Sequence, residues 1–184
     1  MLFVITGASG SGKSEYAEQL AGRLAVRERI QRKLYVATME TESDAARERI
    51  ARHRALRAGK GFVTVESVMG LGKEALRDSL PGTVVLLECV SNLLANLMFS
   101  AGMTAMEAQR EILSQVQEAC GICRHLVVVT NEVFSETVGD SGALDQYVRA
   151  LGGINCHLAG LADAFCEVVY SIPVFLKGEK LCRF

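Results

Sequence analysis

The 184-residue sequence predicts an α/β fold of three layers, a mostly parallel sheet flanked by helices, built as one domain over residues 1–184. Three observations carry that expectation. Short β-branched or apolar runs alternate along the chain with longer segments whose apolar residues recur at helical spacing, the pattern of strand–helix–strand units. Two of the runs, TVVLLE at 83–88 and HLVVVT at 125–130, are almost continuously apolar, as central strands covered on both faces are. The chain is 49% hydrophobic and 22% charged, with only Pro81 and Pro173 and no low-complexity linker, so nothing marks a second domain.

Taken in order, strands are expected at 2–6 (LFVIT), 33–38 (KLYVAT), 62–65 (FVTV), 83–88, 125–130 and 166–171 (CEVVYS). Helices are expected at 14–29, 43–57, 74–80, a pair over 92–102 and 105–119, and 142–164, each with apolar residues at i, i+3 and i+4. In an open parallel sheet, ligands sit beyond the carboxyl ends of the strands, so the loops after Thr6, Thr38, Glu88 and Thr130 are where chemistry is expected.

Bulk properties narrow the function. A net charge of −1 gives no global attraction to nucleic acid or an anionic membrane, so any phosphate recognition is local. No apolar run approaches the ~20 residues of a membrane span, and the apolar start of the chain ends at Thr6, too short for a signal peptide core, so a cytoplasmic protein is expected. The six cysteines, among them the lone pair Cys120 and Cys123, are read as reduced and packed like small apolar residues.

The most specific local signal is Gly7-Ala8-Ser9-Gly10-Ser11-Gly12-Lys13-Ser14, which fits GxxxxGK[ST] between an expected strand and an expected helix. Glycines there let backbone N–H groups turn inward around phosphate oxygens, and the following helix adds its positive end. Lys13 is expected to reach the β and γ phosphates of a nucleotide such as GTP or ATP, and the Ser14 hydroxyl to ligate Mg2+. Glu88, ending a neighbouring strand, is the carboxylate best placed to share that metal; the plainer alternative is a strand-end residue capping the next helix. Glu132, after the strand at 125–130, is a further candidate for substrate or metal contact, against a plain role in its turn.

The expected helix at 43–57 sets His53 among arginines, with Arg49 and Arg57 one turn away on the same face. Neighbouring cations favour the neutral, nucleophilic imidazole and could spread the charge of a departing polyphosphate. By spacing alone, a histidine in such a helix is more often a solvated surface residue. His125 and His157 fall outside the expected ligand loops and are read as structural.

Several motifs in order raise the specificity: TGxxxSGKSxxAE at 6–18, YVAT at 35–38, RIxxHxxxR at 49–57, LLECVSNLLANLMF at 86–99, VVVTNEV at 127–133, NxxLAxxAD at 155–163 and IPVFLK at 172–177. Together they resemble the bifunctional adenosylcobinamide kinase and adenosylcobinamide-phosphate guanylyltransferase family of cobalamin biosynthesis, over nearly the whole chain. The resemblance implies a RecA-like P-loop domain with two activities. A nucleoside triphosphate phosphorylates the hydroxyl of adenosylcobinamide; GTP then gives GMP to that phosphate through a histidine phosphoramidate, for which the matching residue is His53. It also implies a homo-oligomer, a trimer. Departures from the pattern are Ala8 and Gly10 in the P-loop, the Phe134–Gly139 stretch and the Asn155-Cys156 pair; they leave the nucleotide site intact and bear on corrinoid contacts and the kinase half. The alternatives are a simple P-loop small-molecule kinase, in which His53 is inert, and a nucleotide-dependent switch.

Overall fold

The computed structural model describes residues 1–40, 59–72, 74–76, 82–132 and 142–182. Seven strands form one sheet: β1 (Leu2–Thr6), β2 (Lys33–Ala37), β3 (Phe62–Glu66), β4 (Val84–Glu88), β5 (His125–Val129), β6 (Ala164–Val169) and β7 (Ile172–Lys177). Their order is β3-β2-β4-β5-β1-β6-β7. All neighbours are parallel except β7, which runs antiparallel to β6.

Alternation along each strand sends side chains to two cores. Phe3 and Ile5 of β1, Leu86 of β4 and Val127 and Val129 of β5 face helix α1 (Lys13–Arg27). Ala17, Leu20, Ala21, Leu24 and Ala25 form its buried stripe, at the i, i+3, i+4, i+7, i+8 spacing of one helical face. On the other face, Leu2, Val4, Leu87, Leu126 and Val128 meet α2 (Val90–Ala95), α3 (Ala105–Ile122) and α4 (Gly142–Leu161). Helix α3 begins with a reciprocal cap: Thr104 Oγ1 accepts from the Glu107 N–H, and the Glu107 carboxylate accepts from the Thr104 N–H at 2.9 Å. The expected three-layer, mostly parallel architecture is the one found.

Four expectations are corrected. The sixth strand lies at 164–169, not 166–171, because Ala164 and Phe165 already pair with β1 while Tyr170 and Ser171 turn the chain round with φ of 49° and 64°. IPVFLK, seen in the sequence only as a motif, is the edge strand β7; Pro173 is tolerated there because an edge residue need not donate to a ladder on both sides. The helix expected over 92–102 starts at Val90 and changes to a π-helix at Asn96–Ser100, where the Ala101 N–H donates to the Asn96 carbonyl. The final helix stops at Leu161 rather than 164.

All six cysteines are unpaired thiols. Burial pushes Cys123 and Cys166 up to about 12 and Cys182 to about 11, as expected of thiols that serve as packing. Cys156 departs from that expectation: it is exposed on α4. The expected helix at 43–57 lies outside the described residues, as does most of the one at 74–80. No described helix is long and apolar enough to cross a membrane.

Candidate functional site

The sheet order puts the carboxyl end of β1 beside those of β5 and β6, and the loop Gly7–Ser14 rises from that point into α1. Two glycines there are required by close approach. A Cβ on Gly7 would stand 2.6 Å from the Val168 carbonyl oxygen and one on Gly12 2.5 Å from Ser171 Oγ; Gly12 also has φ of 92°, a left-handed value. Gly12 is the N-cap of α1 and no side chain caps that helix, so its first-turn N–H groups face the loop without a side-chain acceptor. Ser11 Oγ is buried there and has no hydrogen-bond partner in the fold. Ala8, Ser9 and Gly10 form the exposed rim. Unpaired donors, a helix N-terminus and an orphaned hydroxyl make this concavity suited to an anion.

Lys13 is buried, and its Nζ donates to the Ala8 carbonyl at 2.9 Å, across the loop. Burial holds its ammonium below the usual lysine value, while Cys89 and Glu88 pull in the other direction. The Ser14 hydroxyl donates to Glu88 Oε1, and the other carboxylate oxygen accepts from the Tyr35 hydroxyl at 2.6 Å. Serine and glutamate, proposed from sequence as a pair, are thus brought together across 74 residues. Tyr35, which orients the carboxylate, carried no signal except its place in the YVAT motif.

Glu132 is exposed; its N–H donates to the Gly7 carbonyl at 3.2 Å, so it sits at the foot of the loop. Its side chain meets Glu167 on β6. Desolvation first, and then the neighbouring Glu132 carboxylate, push the Glu167 carboxyl up. Glu167 pairs in register with Thr6, the residue before the loop, and was missed in the sequence because nothing there shows which strand β6 lies beside. His53, Arg49 and Arg57 lie outside the described residues. His125 is fully buried at the amino end of the central strand β5, the end of the sheet opposite the phosphate loop, 3.0 Å from Glu28 Oε1. His157 is exposed on α4, its Nδ1 2.8 Å from the Gly153 carbonyl.

The other motif residues turn out to stitch the loops together. Thr38 Oγ1 accepts from the Cys89 N–H at 2.8 Å and donates to the Cys89 carbonyl at 2.9 Å. Asn96 Nδ2 donates to the carbonyls of Thr38 and Val68, both at 2.8 Å. Asn131 donates to Ser91 Oγ, Thr130 to Asn155 Oδ1, and Asn155 to the Asn131 carbonyl. These polar contacts hold the loops after β2, β3, β4 and β5 in one fixed arrangement around the phosphate-loop end of the sheet.

A strand, a glycine loop closed by Lys13 and Ser14, and an acidic strand end bonded to that serine define a P-loop nucleotide-binding protein. Among solved structures, a KaiC-like protein of Pyrococcus horikoshii aligns over 90% of this chain and 71% of its own, with a TM-score of 0.50 at 14% identity, a likeness of fold alone. The family described as cobinamide kinase / cobinamide phosphate guanyltransferase matches residues 3–176, and the chain belongs to it. Relatives called bifunctional adenosylcobalamin biosynthesis protein CobU, from Escherichia coli K12 and Salmonella typhimurium LT2, are 33% and 30% identical, each match covering 96% of this chain and the whole of the relative. The Pseudomonas aeruginosa protein named CobP is 29% identical over 97% of this chain and 98% of its own. The chain is a transferase of this bifunctional type.

Proposed function

We propose that residues 1–184 act as one catalytic domain that phosphorylates adenosylcobinamide with a nucleoside triphosphate and then guanylylates the product from GTP, giving adenosylcobinamide-GDP and pyrophosphate. The observation that carries the nucleotide half is the convergence of Lys13, the Ser14 hydroxyl and the Glu88 carboxylate on one glycine loop, in a chain matched to the family over residues 3–176. Loop N–H groups from Gly7 to Ser14 would hold the phosphates, with Lys13 offsetting charge on the transferred group. Ser14 and Glu88 fit Mg2+, a hard cation that takes few protein oxygens and keeps phosphate and water as its other ligands. Bound there, it would neutralise charge on the β and γ phosphates.

For the second reaction, a neutral His53 nitrogen attacks the α-phosphorus of GTP. A P–N bond forms, the bond to the β-phosphate oxygen breaks, and pyrophosphate leaves. The phosphate of the acceptor then attacks the same phosphorus and releases His53. Arg49 and Arg57 would balance the leaving charge, and Glu132 would meet substrate at the foot of the loop. A homotrimer and a cytoplasmic location complete the reading.

The test is covalent trapping. The protein is incubated with magnesium and α-phosphate-labelled GTP, denatured, and assayed for acid-labile, base-stable label. Label in the parent and none in His53→Ala is the expected result. GTP binding without label in the parent would sink the covalent route and leave a simple kinase.

A further inference from the structure

We infer that Tyr170 is the stacking platform for the purine base of the triphosphate held in the Gly7–Ser14 loop. The inference rests on the nucleotide-cradle reading above and extends it to a part of the ligand that reading does not place.

The sheet gives the bound nucleotide a direction. Ser14 and Glu88 draw the metal-binding, γ-phosphate end toward β4, on one side of β1. The nucleoside therefore leaves the loop on the other side of β1, which is occupied by β6 and β7. The turn between those two strands is docked on the second half of the loop. The Ser171 N–H donates to the Ser11 carbonyl at 2.8 Å, and Ser171 Cα lies 3.1 Å from where a Gly12 Cβ would stand. Whatever projects from this turn stands at the mouth of the cradle.

Tyr170 projects from it, 91% exposed. Two-residue hairpin turns with positive φ at both positions strongly prefer Asn-Gly, Asp-Gly or Gly-Gly. Here Tyr170 and Ser171 hold φ of 49° and 64°. A bulky aromatic is a poor choice for such a backbone, and this ring is not repaid by burial. A strained backbone that holds an uncovered aromatic beside Ser171, the residue docked on the phosphate loop, fits a ligand contact. The chemistry it offers is a flat apolar face that takes any purine, so it would serve both ATP and GTP without choosing between them.

Calorimetric titration of the whole protein with magnesium-GTP and with magnesium-tripolyphosphate, which has the phosphates and no base, tests this. Tyr170→Asn removes the ring and keeps a residue that tolerates positive φ; Tyr170→Phe keeps the ring. The expected result is GTP affinity weakened about 5- to 150-fold in Tyr170→Asn, the loss of one base–aromatic stack. Tripolyphosphate affinity stays within about twofold of the parent, and Tyr170→Phe retains GTP binding. Unchanged GTP affinity in Tyr170→Asn overturns the inference alone. An equal loss of both ligands would make Tyr170 a brace for the loop and also overturns it. A parent that binds neither ligand overturns the cradle reading, and this inference with it.

Discussion

Replacing Asn96 by alanine tests whether the polar stitching of the loops is structural. Asn96 is 6% exposed, and its two amide hydrogens go to the carbonyls of Thr38 and Val68. Thr38 is fully buried, so its carbonyl has no route to water once the amide is gone, a loss of about 1–3 kcal/mol. Val68 is 38% exposed, its carbonyl can be rehydrated, and only the net hydrogen bond of about 0.5–1 kcal/mol is lost. The sum is about 1.5–4 kcal/mol. With a urea slope of about 2 kcal/mol/M, the unfolding midpoint should fall by about 0.75–2 M. Asn96→Asp has the same shape but sets a carboxylate against the two carbonyls. Its folded pKa should lie above the ordinary aspartate value, so this variant loses further stability as pH rises through that folded pKa. Urea titrations at several pH values measure both effects. A midpoint shift under about 0.25 M for Asn96→Ala, worth about 0.5 kcal/mol, would refute the reasoning.

Gly12→Ala should destabilise the protein by about 2 kcal/mol or more, from a left-handed φ and a Cβ driven into Ser171. The double variant with Ser171→Gly should recover part of that in thermal unfolding, since it removes the Oγ at 2.5 Å but not the Cα at 3.1 Å. Burial holds His125 below the ordinary histidine value of about 6.5, with Glu28 opposing and the amino terminus and Arg124 reinforcing the shift. Its contribution is therefore complete above about pH 6.5 and is lost as pH falls toward the folded pKa, because the unfolded chain takes up the proton first. Urea midpoints at pH 7.5, 6.5 and 5.5 should decline in the parent and be flatter in His125→Asn; parallel curves would assign the acid sensitivity elsewhere.

Legibility in the sequence followed how local the physics was. The apolar runs of β4 and β5 announced themselves because both faces of those strands are buried. The glycine loop announced itself because phosphate binding by backbone demands a fixed spacing. Glu88 was legible as a strand end next to that loop. Tyr170 and Ser171 read as strand because both have ordinary β or neutral propensity, and only the register of β6 on β1 shows them turning. The π-helix at Asn96–Ser100 keeps an apolar pattern close to that of an α-helix, so periodicity did not separate them. Tyr35, Ser91, Asn96 and Glu167 act through partners 28 or more residues away in the chain, which a single sequence does not pair.

The docking of the Tyr170–Ser171 turn on Ser11 and Gly12 has a bearing on biosynthesis. The phosphate loop is synthesised about 150 residues before its backing strand β6 and the turn that closes on it. A nascent chain that has not yet extruded residues 164–177 can pair β1 with β5 but lacks the hairpin that backs the loop. Such a chain should hold nucleotide poorly, and polypeptides clipped before β6 should be partly folded, ligand-blind fragments for proteases to remove.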